Sequence, residues 1–280
     1  MVSIRELVNE KTPIVDKNDT LSHTFKLIEK TGIDKVIVLE NRILEPGKEV
    51  RIITGILTSR DLVRKLGTQR VRTTVPSKLH VSSFMSIDPY YVDISTNIIE
   101  VAKTMVEKGY GIAPVVEEKE VIGGLLRDAL IKLAEEDDTE VRYIMDANPL
   151  IARTTDRILK IRQDMVSNDI SFMPVVDDRD ELVGYITIYE VAYSLIRFED
   201  IVPPKHKKER LMHLIVEDVM RFRPPRVRIM DTVSEAVALM LSKNSRGVVV
   251  VDELGKVAGI VTPQIILRHL VENKKELLRK

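Results

Sequence analysis

Apolar positions along this chain switch between two periods, and the same succession of periods returns four times. Each round opens on a short segment with a proline: Lys11-Thr12-Pro13-Ile14-Val15, Ser86-Ile87-Asp88-Pro89-Tyr90, Asp146-Ala147-Asn148-Pro149-Leu150 and Arg223-Pro224-Pro225-Arg226-Val227. A polar turn follows, then a stretch with helical spacing, such as Ile98, Ile99, Ala102, Met105 and Val106 in the second round and Val233, Ala236, Val237, Met240 and Leu241 in the fourth. That spacing predicts amphipathic helices, each burying one face. Thr232-Val233-Ser234-Glu235 adds a capping box, in which hydroxyl and carboxylate each satisfy a free backbone amide.

After each helix comes a β-rich apolar run: Lys35-Val36-Ile37-Val38-Leu39, Ala113-Pro114-Val115-Val116, Met173-Pro174-Val175-Val176 and Val248-Val249-Val250-Val251. An acidic turn such as Asp177-Asp178-Arg179-Asp180 leads into a second run, a glycine and a second helix. Each round therefore reads β-α-β-β-α, and the chain is predicted to be an α/β protein built as a tandem array of one small unit. The first copy carries an insertion, Asn41 to Glu49, which is expected to lengthen the hairpin between its two strands.

The recurring glycine heads the most informative motif. Gly55-Ile56-Leu57-Thr58-Ser59-Arg60-Asp61 is its fullest form, and frayed copies start at Gly123, Gly184 and Gly259. An apolar strand, an acidic turn, a second strand and then Gly-hydrophobic-hydrophobic-Thr-x-x-Asp opening a helix resemble the CBS domain. The likeness covers residues 9–66, 81–134, 141–196 and 215–270. It implies units that pair sheet to sheet about a pseudo-twofold axis as Bateman modules, the first expected at 1–136 and the second at 137–280, with two clefts in each. The layout is similar to that of the gamma subunit of AMP-activated protein kinase. It also implies adenosine-containing ligands in the clefts (AMP, ADP, ATP or S-adenosylmethionine) and a partner that reads their occupancy.

The motif residues suit such a ligand on chemical grounds. Unpaired amides at a helix entrance favour phosphate. Thr58 can bond a phosphate or sugar oxygen, Asp61 can accept from both hydroxyls of a ribose, and Gly55 leaves room for close approach. A purine would need an apolar slot, which the resemblance places beside Thr12, Pro13 and Ile14. The same Thr-x-x-Asp is also a helix start that needs no ligand, with threonine as cap and the acid at the third position. Comparison of the copies separates the two uses. The second has Leu126 and Ala129 in place of threonine and aspartate; the third keeps Thr187 and has Glu190; the fourth keeps Thr262, with Pro263 at the first helical position, and has Ile265. The acid carries the information about ligand, so the first copy is the best ribose site, the third is a candidate, and the second and fourth are degenerate. For phosphate, the resemblance points to Lys35, Ser171 and Arg246 ahead of the middle strands, and Arg60 is a further candidate on an exposed helix start.

Composition narrows the alternatives. The 280 residues are 44% hydrophobic with 43 basic and 43 acidic side chains, as expected of two ordinary domains with cores. A charged fraction of 31% without tryptophan would also suit the ion-pair networks of a thermophile. Cysteine is absent, which removes disulfide and thiolate chemistry, and the five histidines, His23, His80, His206, His213 and His269, lack metal-ligand spacing. No apolar run approaches the ~20 residues of a membrane span. The first residues, Met1 to Glu6, lack a signal-peptide pattern, so a cytoplasmic protein starting near Met1 is expected. No nucleophile elbow, Walker loop or metal constellation marks an enzyme. The basic runs Lys205 to Arg210 and Arg221 to Arg228 raise a rival reading, contact with nucleic acid, which neutral net charge and 4% aromatic content disfavour. The expected reading of Ile201 to Arg210 is a solvated linker, and Glu135-Glu136-Asp137-Asp138 marks the boundary between the modules. A ligand-free scaffold is the other alternative, and homo-oligomerisation is expected.

Overall fold

The computed structural model describes residues 2–45, 48–66, 79–201 and 211–279, and the predicted succession recurs in all four rounds. The first unit comprises α1 (Ile4–Leu7), β1 (Val8–Asn9), β2 (Ile14–Asp16), α2 (Leu21–Thr31), β3 (Lys35–Glu45), β4 (Lys48–Thr58) and α3 (Ser59–Lys65). The second has β5 (Ser86–Ile87), β6 (Val92–Asp93), α4 (Ile98–Lys108), β7 (Ile112–Glu117), β8 (Glu120–Leu126) and α5 (Arg127–Leu130). In the third are β9 (Ala152–Arg153), α6 (Ile158–Ser167), β10 (Phe172–Val176), β11 (Leu182–Thr187) and α7 (Ile188–Ile201). The fourth contributes β12 (Arg221–Phe222), β13 (Arg226–Arg228), α8 (Val233–Lys243), β14 (Val248–Val251), β15 (Val257–Val261) and α9 (Pro263–Asn273). The insertion does lengthen the first hairpin, whose antiparallel register continues out to Glu45 opposite Lys48.

Local chemistry explains the helix ends. Thr20, Asn97 and Thr232 accept backbone N–H bonds as N-caps of α2, α4 and α8, and Thr232 with Glu235 forms the predicted capping box. Gly32 and Gly109 end α2 and α4 in the left-handed conformation that costs glycine little.

Pairing between units follows from strands that leave their own sheet. β1 of the first unit pairs with β8 of the second, and β5 of the second pairs with β4 of the first, Gly55 lying opposite Ile87. The third and fourth units repeat the exchange: β12 pairs with β11, and Asp146 bridges to Ile260 on β15. This crossing accounts for the recurring glycine. A Cβ on Gly55 would lie 2.7 Å from Met85 Sδ and 2.8 Å from the Ser86 carbonyl. Gly184 meets the Arg221 carbonyl and Gly259 the Asp146 carbonyl in the same way, both at 2.7 Å. The glycine makes room for a neighbouring backbone, a use that the expectation for Gly55 did not include.

Two kinds of core hold the units together. Within each pair the sheets meet over small apolar clusters, Ile37, Ile56, Ile112 and Leu126 in one, Phe172, Tyr185, Val249 and Ile260 in the other. The larger cores join the pairs. Leu62 and Val63 of α3 pack with Ile161, Met165, Val191 and Leu195 of the third unit, and Val101 and Met105 of α4 pack with Val237, Leu267 and Leu270 of the fourth. Helices from the two halves thus share continuous cores within one chain. Asp137, in the acidic stretch at the boundary, is buried; its carboxylate lies 2.9 Å from His269 Nε2 on α9 and accepts the Thr139 N–H.

Candidate functional site

Where the four units meet, the residues just ahead of their middle strands converge. Opposite the threonine position of each motif stand Lys35 and Phe172, so Asp34 and Ser171 occupy equivalent places. Gly111 and Arg246 are their counterparts in the second and fourth units, and all four line one cavity. The equivalent residue in the first copy is therefore Asp34, which sequence reading passed over in favour of Lys35. Asp34 and Arg246, from different halves of the chain, form a two-point pair: Arg246 Nη1 donates to Asp34 Oδ2 at 2.6 Å, and Nη2 lies 2.5 Å from Oδ1. Ser59 donates to the same carboxylate at 2.5 Å. Burial opposes the charge on Asp34, yet Arg246 and Lys35 outweigh it and hold the carboxyl far below the usual range. Burial likewise works against Arg246, and Asp34 more than offsets it, keeping the guanidinium charged.

Lys35 is buried too, not at a solvated strand edge; its Nζ donates to Asp128 at 2.6 Å, and its stem passes 3.2 Å from where a Cβ on Gly111 would sit. Asp34, Lys35, Asp128 and Arg246 form a charged partition with a cavity on either side.

The first cavity, about 350 Å³, is lined by Thr58 and Asp61 from the first unit, Ser86, Pro89, Tyr90 and Tyr110 from the second, Ser171 from the third and Thr262 from the fourth. Its size suits a small molecule, whose sites span ~300–1,000 Å³. Thr58 caps α3 and shares a capping box with Asp61, whose Oδ2 accepts the Thr58 N–H at 2.9 Å and the Thr58 hydroxyl at 2.6 Å. Among the described residues Oδ1 accepts from one hydroxyl, Ser86 Oγ, at 2.7 Å. Because α3 spans seven residues, its first-turn amides and dipole add little. Tyr90 and Tyr110 stack with centroids 5.8 Å apart and supply an aromatic wall that sequence reading missed.

The second cavity, about 360 Å³, lies beside the third copy and is lined by Thr187, Glu190, Tyr185, Tyr189 and Arg221 together with Leu126 and Ala129 of the second. Both oxygens of Glu190 are engaged. Oε2 accepts from the Thr187 N–H at 3.1 Å and from the Thr187 hydroxyl, and Oε1 accepts from Arg221 Nε at 2.6 Å. Burial disfavours the charged form of Arg221, but Glu190 prevails and raises its pKa. Thr262 accepts from the Ile265 N–H with Pro263 beside it, so it acts as a cap.

The remaining predicted residues divide. Thr12, Pro13 and Ile14, the expected base slot, do not line the Asp61 cavity. Ile14 pairs with Ile37 in its own unit's sheet, Thr12 Oγ1 would lie 3.0 Å from a Cβ on Gly124 of the second unit, and Ser86 to Tyr90 line the Asp61 cavity. Arg60 lines the Asp61 cavity but is not an exposed helix-start residue: its side chain is 26% accessible and it pairs with Asp169 of the third unit. The basic run at 205–210 lies outside the described residues, and of the second run Arg221 is held by Glu190. Among the described residues no group of three or more His, Asp or Glu is placed to hold a metal, and no helix is long and apolar enough to cross a membrane.

Comparison with known proteins places this geometry in context. Residues 4–68, 81–136, 141–197 and 216–272 each match the CBS domain. A 33.4 kDa protein in the ribosomal RNA operon of Thermofilum pendens is 28% identical over 233 residues, 78% of this chain and 77% of its own. Protein MJ1225 of Methanocaldococcus jannaschii is 25% identical over 206 residues, 67% of this chain and 68% of its own. The crystal structure of MJ1225, put forward as an archaeal homologue of the AMP-activated kinase γ subunit, superposes with a TM-score of 0.77. That superposition covers 96% of this chain and all of MJ1225, at 18% identity.

Proposed function

The chain belongs to the CBS domain family, and from that premise we propose that it is a non-catalytic regulatory protein that binds an adenosine-containing ligand in the Asp61 cavity. One observation carries this reading. Asp61 is a nearly buried carboxylate, 9% accessible, on the wall of a cavity of about 350 Å³, and one of its oxygens is held by a single serine hydroxyl. A carboxylate oxygen can accept more than one bond, so vicinal ribose hydroxyls can join or replace Ser86 without disturbing the cap made by the other oxygen. The base then lies toward Ile87, Pro89 and the Tyr90–Tyr110 pair, whose faces suit a planar ring. Thr58 is engaged with Asp61 and acts through it.

The other copies lack the same opportunity. Glu190 is committed to Thr187 and Arg221, and the second and fourth copies have Ala129 and Ile265 at the acid position. The expected stoichiometry is one ligand per chain. Because four units line this cavity, a ligand there touches both halves of the molecule, and it shifts their packing by as much as its affinity differs between the two arrangements. A separate protein or a second copy of the chain reads that shift. The test is calorimetric titration of the full chain with ATP, ADP, AMP and S-adenosylmethionine. Binding of at least one with a Kd below about 1 mM is expected, and no binding in that range overturns the proposal.

A further inference from the structure

In three of the four units the helix ahead of the middle strand buries the same four positions: Leu21, Thr24, Phe25 and Ile28 on α2, Ile98, Val101, Ala102 and Met105 on α4, and Val233, Ala236, Val237 and Met240 on α8. α6 keeps three of them as Ile158, Ile161 and Met165, and puts Arg162 where its sister helices have Phe25, Ala102 and Val237. A half-buried cation on a core-facing stripe needs partners, and Arg162 finds them in the other half of the chain. Its Nε donates to the Leu66 carbonyl at 2.7 Å and its Nη2 to the Arg64 carbonyl at 2.9 Å. Both carbonyls lie at the C-terminus of α3, where backbone acceptors lack partners within the helix and the dipole favours a positive charge. Arg162 is thus a C-terminal cap supplied to the first unit by the third.

The same segment of the third unit holds α3 a second time. Asp169, just past the end of α6, pairs with Arg60 in the first turn of α3 and lies 3.5 Å from Arg64 Nη2. Between these contacts Leu62 and Val63 pack with Ile161 and Met165. α3 also carries Asp61, so one end of the helix stands at the cavity and the other is tied to α6. Resting on the ligand reading above, we infer that Arg162 is a positioning residue for the Asp61 cavity. It lines neither central cavity; it acts by fixing the helix that carries the acid, and it makes any movement of Asp61 on binding a movement of the first unit against the third. The joint between the second and fourth units has Val237 at the matching position, a side chain with no donor, so this device belongs to the joint that bears the candidate site.

Arg162→Met tests this on the full chain, since it keeps an apolar stem at a position where three sister helices carry Phe25, Ala102 and Val237. Exchange of the α3 amides with deuterium is expected to speed up about tenfold or more, the worth of a charge-assisted hydrogen bond, with α9 unchanged and with part of the protection recovered in Arg162→Lys. The same chains are then titrated with ATP, AMP and S-adenosylmethionine. Whichever of these the wild-type chain binds is expected to bind Arg162→Met at least ~5-fold more weakly, and Arg162→Lys less so. Leu270→Ala, in the core between the second and fourth units, lowers stability without touching α3 and should leave that affinity unchanged, which separates positioning from a general loss of stability. Wild-type exchange of α3 in Arg162→Met, wild-type affinity despite faster exchange, or equal weakening by Leu270→Ala overturns the inference while leaving the ligand reading intact. Failure of the wild-type chain to bind any of the three removes the ligand reading and the positioning role with it, whereas the cap itself stands or falls on the exchange result.

Discussion

The cavities at Asp61 and Glu190 are built on equivalent copies of one motif and share the partition of Asp34, Lys35, Asp128 and Arg246, yet their chemistry differs. At Glu190 the additional carbon lets the carboxylate cap its helix and still reach Arg221, so acid and arginine satisfy each other. At Asp61 the shorter acid caps and then, among the described residues, reaches a serine and no arginine, and the arginines nearby crowd one another. One cavity closes its acid on its own arginine; in the other the acid is held by Thr58 and Ser86, and Arg60 turns to Asp169. In a repeat protein, a copy of a motif can persist as a helix cap after its binding use has gone, because the cap needs only the local hydroxyl and acid.

The shared partition should give the largest effect. Asp34→Asn would leave Arg246 buried without its carboxylate and is expected to destabilise the chain by about 3–5 kcal/mol in urea unfolding, affecting both cavities together. The pH dependence has a definite sign. The folded pKa of Asp34 lies below its unfolded value, so its contribution is present above about pH 4 and is lost as pH falls further toward the folded value. Asp34→Asn should therefore flatten the acid limb of the stability curve; a mutant with wild-type stability would mean that the partition is not a keystone. A smaller effect, shared by both cavities, is expected at the crossing strands. Gly55→Ala and Gly184→Ala each push a methyl group against a neighbour's carbonyl, at a cost of about 1–3 kcal/mol measured by thermal unfolding. Indifference to both changes would contradict the account of the recurring glycine.

Much of the fold was legible because it is local. Helical spacing, the Thr232–Glu235 capping box, the β runs and the extended first hairpin can be read from neighbouring residues, and all are present. The exchange of leading strands could not be read in that way, since Val8 pairs with Leu125 and Gly55 with Ile87 through long-range register. From that non-local fact follow the place of Ser86 to Tyr90 on the Asp61 cavity and the close approach of the Ser86 carbonyl to Gly55. Asp34 escaped notice because it precedes the apolar run and its partner Arg246 is 212 residues away. Asp61 stood out on sequence because three of the four copies lack an aspartate there, and the structure places it on a cavity wall.

The most direct test of the central claim is the stoichiometry of adenine nucleotide binding, measured by calorimetry on the wild-type chain and on Asp61→Ala and Glu190→Gln. We expect one site per chain, weakened by about 1–3 kcal/mol in Asp61→Ala through loss of charged hydrogen bonds and unchanged in Glu190→Gln. Wild-type affinity in Asp61→Ala, or loss of binding in Glu190→Gln alone, would contradict the assignment of the ligand to the first cavity.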